Sequence, residues 1–159
     1  MQIKVSQQLP KDKINTFFIK QWGSPEMVIS SGVFDCTTLE GYAVLNKNSE
    51  IIGYISYVIT DSECEIISLD SIEEGKGIGT ALIQAVEHMA KERSCQKIKL
   101  ITTNDNLHAL KFYQKRGYCL SALLKGAVDR ARERKPEIPQ LGNDGIPIRD
   151  EILLSKWLI

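Results

Sequence analysis

Apolar residues recur at helical spacing over residues 11–22, where Ile14, Phe17 and Phe18 share a face ahead of the Gly23-Ser24-Pro25 breaker. The period then changes. Residues 40–46, 50–60 and 62–69 are rich in Ile, Val, Tyr and Cys, and the turn formers Asn46-Lys47-Asn48-Ser49 and Thr60-Asp61 separate them, which predicts a meander of antiparallel strands. Ile78, Leu82, Ala85, Val86 and Met89 next mark one stripe of an amphipathic helix reaching residue 93. The pattern continues with a strand over 97–103, a short helix over 106–116 closed by Gly117, strands over 118–124 and 152–158, and a helix over 127–134 between those two. The order is helix, several strands, helix, strand, helix, strand, helix, strand. It predicts an α+β fold with a mixed sheet, one domain over residues 1–159, and no internal repeat.

Composition narrows the class. Twenty basic residues balance twenty acidic ones for a formal net charge of 0, and 43% of residues are hydrophobic, so bulk charge favours neither nucleic acid nor a membrane surface. The longest apolar run, residues 51–59, is well short of the ~20 residues of a spanning helix. Residues 1–10 carry no signal-peptide pattern, and the expectation is a cytoplasmic protein. Cys36, Cys64, Cys95 and Cys119 lie 24 to 31 residues apart, which matches neither a zinc motif nor a disulfide scaffold and predicts reduced thiols. Only two histidines are available. His88 shares a helix face with Gln84, Lys91 and Glu92, and His108 with Lys111 and Lys115, so both read as solvated residues and no metal site is expected.

The stretch richest in chemistry is Ser68-Leu69-Asp70-Ser71-Ile72-Glu73-Glu74-Gly75-Lys76-Gly77-Ile78-Gly79-Thr80, in which a strand passes through three alternating glycines into the amphipathic helix. The first turn of a helix presents unpaired N–H groups at the positive end of the dipole, so a glycine-lined entry suits a phosphate or pyrophosphate. The spacing is G-x-G-x-G rather than G-x-G-x-x-G, and Lys76 is followed by Gly77 instead of Ser or Thr, which disfavours dinucleotide and Walker loops. A tight turn whose glycines serve packing alone is the competing reading. A second constellation places Asn106, Ala109 and Tyr113 at i, i+3 and i+7 on one helix face. The small Ala109 keeps that face low for a thin ligand, and a phenol with a reference pKa of about 10 can donate a proton at neutral pH. An ordinary amphipathic helix with Tyr113 half-buried explains the same spacing.

In register, Glu74-Gly75-Lys76-Gly77-Ile78-Gly79 and Asn106-Leu107-His108-Ala109-Leu110-Lys111-Phe112-Tyr113-Gln114-Lys115-Arg116-Gly117-Tyr118 resemble motifs A and B of the GNAT superfamily of acetyl-CoA-dependent acetyltransferases, with a tail similar to a bacterial subset of it. The resemblance covers residues 50–124. It implies a mostly antiparallel central sheet with helices on both faces, acetyl-CoA as co-substrate with no metal, and transfer of acetyl to a primary amine of a small molecule or peptide. It further implies that the amides of Lys76 to Gly79 hold the pyrophosphate, with Glu74, Gly75 and Thr80 around them. Main-chain groups near Leu69 and Ser71 would pair with the pantetheine arm, and Asn106, Ala109 and Phe112 would lie along the cofactor. Tyr113 would protonate the departing sulfur. Glu74 stands where the family carries Gln or Arg, and with Glu73 it is expected to weaken pyrophosphate binding while favouring the helix dipole.

An amine acceptor near pKa 10 needs a base. Glu63 and Glu65 fall on one face by the two-residue period, and Glu63 sits where histone-type members carry a base glutamate; both also read as solvated strand residues. Cys64 alternates to the other face without a histidine partner. In the tail, residues 125–135 hold five basic against two acidic side chains and no interleaved aromatic, which reads as a solvated helix face and not a nucleic-acid site. Residues 136–147 form a Pro- and Gly-punctuated loop, a candidate lid or acceptor wall, with Trp22, Arg149 and Asp150 as candidate pocket residues. The alternative function is a non-catalytic acyl-CoA-binding sensor. A homodimer paired through the last strand is a further expectation.

Overall fold

The computed structural model describes residues 2–158. The elements in chain order are β1 (Gln2–Val5), α1 (Lys11–Trp22), β2 (Glu26–Ile29), β3 (Gly32–Asp35), β4 (Glu40–Leu45), β5 (Ile51–Thr60), β6 (Glu63–Ser71), α2 (Ile78–Glu92), β7 (Lys97–Thr103), α3 (Leu107–Lys115), β8 (Cys119–Leu124), α4 (Ala127–Arg134) and β9 (Glu151–Trp157), with short 3-10 turns at Ser6–Gln8 and Asn143–Gly145. Seven strands form a sheet in the order β1-β4-β5-β6-β7-β9-β8, and β2 and β3 form a separate ribbon. The pairs β1–β4, β4–β5, β5–β6 and β8–β9 are antiparallel, so the fold is the mixed, mostly antiparallel α+β arrangement anticipated above.

Periodicity located the long elements and missed the short ones. β1, β2 and β3 have four residues each, and β1 is mostly exposed, so too few positions alternate to make a pattern. The last strand is also not at an edge. β9 lies between β7 and β8, so the edges open to strand pairing between copies are β1 and β8, the latter with exposed Leu120 and Leu123.

The chain divides into two compact units, residues 2–27, 34–98 and 158 in the first, and residues 28–33 and 99–157 in the second. In the first, β5 carries helices on opposite faces because its successive side chains alternate. Tyr54 points toward α1, its ring 6.0 Å from Phe17 and 5.2 Å from Phe18. Gly53 points toward α2, and a Cβ there would overlap Ile78 Cγ2 and stand 3.2 Å from Leu82 Cδ1. The buried face of α2 comprises Ile78, Leu82, Ile83, Val86, Met89 and Ala90; Ala85, placed on the stripe by the sequence pattern, is only half-buried. Because Gly53 lets the first turn of α2 lie close on the sheet, Gly53→Ala is expected to lower stability by about 1–3 kcal/mol through overpacking. Urea unfolding checks this, and an unchanged midpoint would refute it.

In the second unit, two side chains at the end of β7 organise the tail. Asn104 Oδ1 accepts from the amides of Arg149 (2.9 Å) and Asp150 (3.0 Å), and its amide donates to the Pro147 carbonyl at 2.9 Å. Buried Asp105 accepts from the Thr103 hydroxyl at 2.6 Å and from the Asn143 amide at 3.0 Å. From α4, Arg132 donates to the carbonyls of Ile138, Pro139 and Ile148 at 3.2, 2.6 and 2.8 Å. The loop read above as a lid or a wall is therefore fastened along its length, and the most buried arginine of the basic segment is spent on it.

Candidate active site

β6 ends at Ser71, and the chain turns through residues 72–77 before α2 begins at Ile78. Gly75 and Gly77 have φ of +75° and +74°, the left-handed region that disfavours side chains, and a Cβ on either would meet nothing within 4 Å. Packing therefore does not account for these two glycines. The close helix–strand approach is made by Gly53 instead. Gly77 is the N-cap of α2 and supplies no side-chain bond, and the ladder begins with Ala81 N donating to Gly77 O at 3.0 Å. The amides of Ile78 and Gly79 precede that first bond, at the positive end of a 15-residue helix. Ile78 buries its side chain, so only its backbone is on offer. Glu73, Glu74 and Lys76 are exposed, and Thr80 is half-buried in the first turn. Glu73 and Glu74 stand ahead of Gly77, and the first turn of α2 contains no acidic residue, so they lie outside the span where they would favour the dipole.

Leu69 and Ser71 lie opposite Ile55 and Gly53 on β5, and the Ser71 hydroxyl donates to the Glu73 carbonyl at 3.1 Å. Between them and the glutamates the register shifts. Ser56 faces Ser68 while Tyr57 faces Ile66, which leaves Ile67 as a β-bulge. Cross-strand partners share a face, so the bulge reverses the alternation: Glu63 and Glu65 share a face as expected, but with Ser68 and Asp70 and not with Leu69 and Ser71. Glu63 is half-exposed with its carboxylate 3.8 Å from Lys97 Nζ, and Glu65 is buried. Burial pushes the Cys64 thiol up to about 12, which removes it as a nucleophile at neutral pH.

Trp22 Nε1 donates to Asp70 Oδ2 at 2.8 Å. Burial raises the Asp70 carboxyl from 3.8 to about 6, against the opposing effect of the indole N–H. A folded-state pKa above the unfolded one means that the stability this group contributes is complete below pH ~4 and is lost as pH rises to ~6. Asp70→Asn, which keeps an acceptor for Trp22, is expected to gain up to about 3 kcal/mol on the wild type between those limits and to hold that gain above them. Urea midpoints for both proteins across pH 4–8 test it; a difference independent of pH would contradict it.

In the second unit, α3 carries the other constellation. Asn106 is the N-cap of α3, its Oδ1 accepting from Ala109 N at 3.1 Å, so the carbonyl serves the helix and the side-chain amide N–H groups remain for a ligand. Ala109 and Phe112 are half-buried and Tyr113 is buried. The Tyr113 ring meets Phe112 at 5.2 Å and Tyr118 at 5.4 Å, both edge to face, and the Arg116 guanidinium stands 3.7 Å over Phe112. Lys156 Nζ donates to the Arg116 carbonyl at 2.9 Å where the chain leaves α3. The phenol is thus held by a rigid aromatic set.

The other sequence candidates have structural duties. Trp22 is engaged with Asp70, and Asp150 Oδ1 accepts from the Gly126 amide at 2.8 Å ahead of α4. The Arg149 side chain is exposed. His88 Nε2 lies 2.6 Å from the Glu92 carboxylate and is exposed, as is His108. Among the described residues no cluster of three His, Cys, Asp or Glu could hold a metal ion, and no helix is long and apolar enough to cross a membrane.

Residues 11–118 match the model of the acetyltransferase (GNAT) family. The Bacillus subtilis (strain 168) protein YxbD, itself uncharacterised, is 58% identical over 151 residues, 95% of each chain. A Bacillus subtilis acetyltransferase solved with CoA superposes at a TM-score of 0.70 with 18% identity, covering 99% of both chains. An Elizabethkingia anophelis GNAT family acetyltransferase solved with acetyl-CoA superposes at 0.66 with 23% identity, covering 98% of this chain and 97% of that one.

Proposed function

The chain belongs to the acetyltransferase (GNAT) family, and on that premise we propose that it moves the acetyl group of acetyl-CoA to a primary amine of a small molecule or peptide by direct attack of the amine on the thioester. The observation that carries this reading is the open, left-handed glycine turn feeding an N-terminus that has no side-chain cap. The amides of residues 76–79 bind the pyrophosphate, with Glu74, Gly75 and Thr80 beside them, and the main chain at Leu69 and Ser71 binds the pantetheine arm. Neither glycine carries a Cβ that would fill the cradle, so the residues present fit the group.

The chain's remaining contributions are alignment and proton handling. An ammonium must lose a proton before it attacks. Glu63, whose carboxylate is 3.8 Å from Lys97 Nζ, and the buried Glu65 are the two candidates to take it, directly or through water. Tyr113 supplies the proton to the departing thiolate, with its ring held by Phe112 and Tyr118. Asn106, Ala109 and Phe112 line the same helix for the cofactor.

A time course of free-thiol release from acetyl-CoA across a panel of amines tests the proposal. Release above the hydrolysis blank with at least one amine is the expected result. Thermal stabilisation by acetyl-CoA without release from any amine would replace it with the sensor reading, for which the acidic pair Glu73 and Glu74 is the motivation.

A further inference from the structure

β8 is exposed on both of its faces. Cys119, Leu120, Ser121, Ala122 and Leu123 are all exposed and Leu124 is half-buried, although half of the strand is leucine. Leu120 is 55% and Leu123 65% exposed. Sheet edges are kept from pairing by charged side chains, by proline or by being very short. Over its six residues β8 has no charge, no proline and no glycine, whereas the opposite edge, β1, has four residues and carries Lys4.

The one irregularity of β8 is a bulge, and it gathers the apolar side chains. Leu120 lies opposite Leu154 and Leu123 opposite Ile152, with the register shifted between Leu120 and Ala122, so Ser121 is the extra residue. Its hydroxyl lies 2.5 Å from that of Ser155. On a regular strand, residues three apart face opposite ways. Here Ile152 and Leu154 are two apart on β9 and share a face, and directly opposed residues project together, so Leu120 and Leu123 share that face as well.

The occupant that fits this edge is a strand. A helix laid on one face would leave the other face and the unpaired edge N–H and C=O groups in water, while an added strand extends the ladder and continues both faces. The sequence of the edge selects which strand. It offers no charge by which to choose a foreign partner, and it is complementary to itself. With two copies antiparallel about a two-fold axis, Leu120 of one stands opposite Leu123 of the other, and the contact occurs twice. Two apolar rows then cross the joint sheet, each running from Leu154 and Leu120 of one copy to Leu123 and Ile152 of the other. The nearest charges, Arg116 and Lys125, stand outside the strand, with the Arg116 guanidinium turned onto the Phe112 ring. The formal net charge of 0 sets no long-range repulsion against the encounter.

We propose that the protein is a two-fold dimer in solution, closed by antiparallel pairing of β8 with β8 of a second copy and by Leu120 packed on Leu123 across the axis. Pairing of β8 with β1 of a second copy is heterologous; it leaves a free edge at each end and grows without closing.

Sedimentation equilibrium of the full chain tests the proposal. The mass is expected to rise from the 17.9 kDa of one chain to twice that value over about 1–200 μM. Leu123→Glu and Leu120→Lys each place a charge in both rows and are expected to weaken association at least about 100-fold. Mixed in equal amounts, the two variants pair with each other, because opposite charges meet in one row and the other row keeps both leucines. Amide hydrogen exchange over residues 119–124 of the wild type slows across the same concentrations, a readout that needs no variant. A wild type that stays monomeric with concentration-independent exchange there overturns the proposal. So does a dimer that both variants leave intact, or a pair of variants that stay monomeric when mixed. Growth past two copies overturns it in favour of β8 pairing with β1.

Discussion

Tyr113→Phe is expected to lower kcat for acetyl transfer by about 100-fold or more, the usual contribution of a positioned acid, while the KM for acetyl-CoA stays within a factor of about two. The split follows from where the phenol sits. Its ring is buried between Phe112 and Tyr118, and phenylalanine keeps both edge-to-face contacts, so the variant removes the phenol hydroxyl, the proposed proton donor, and little packing. A thiolate leaving without a donor carries its full charge into the transition state, so the loss appears in the chemical step and not in binding. A leaving group that needs less protonation should rescue the variant. An acetyl thioester of an acidic aryl thiol, compared with acetyl-CoA in wild type and variant, provides that control. Parallel falls in kcat for both thioesters, or a rise in KM at constant kcat, would assign Tyr113 to positioning.

Gly77→Val is expected to abolish measurable coenzyme A binding at concentrations that saturate the wild type, followed by calorimetric titration. Two effects combine at this residue. A β-branched side chain held at φ +74° costs at least about 1–2 kcal/mol, and relief of that strain moves the amides of Ile78 and Gly79. Any side chain that does remain there occupies the opening of the turn, since no protein atom lies within 4 Å of the added Cβ. Gly77→Asn separates the two, because asparagine adopts the left-handed region readily. It should retain wild-type thermal stability yet bind coenzyme A at least about 10-fold more weakly. If both variants bind normally, the pyrophosphate is not held by this turn.

Much of the site was legible because its signals are local. Gly75, Gly77 and Gly79 set against the stripe from Ile78 to Met89 announce a strand-to-helix turn within a few residues, and the spacing of Ala109 and Tyr113 announces one helix face, whereas Asn106, read as part of that helix, turns out to be its N-cap. Other features were not legible, for reasons that can be named. The bulge at Ile67 reverses the face on which Glu63 and Glu65 lie relative to Leu69, and nothing in E-C-E-I-I-S-L-D-S marks it, since a bulge is set by the register of the opposite strand. The ribbon of β2 and β3 is too short to show a period. The buried Glu151 carries no signal in its sequence neighbourhood that tells it from an ordinary solvated strand residue.

The sequence by itself determined the helices, the glycine turn, the motif pair and hence the family, since each depends on backbone dihedrals and on contacts a few residues apart, where chain connectivity holds the partners near one another. Only the tertiary structure decided which charged groups lose water. Glu151 meets Ser30 across 121 positions and Asp70 meets Trp22 across 48. Desolvation depends on everything packed around a group from any distance along the chain, and no local pattern encodes that sum.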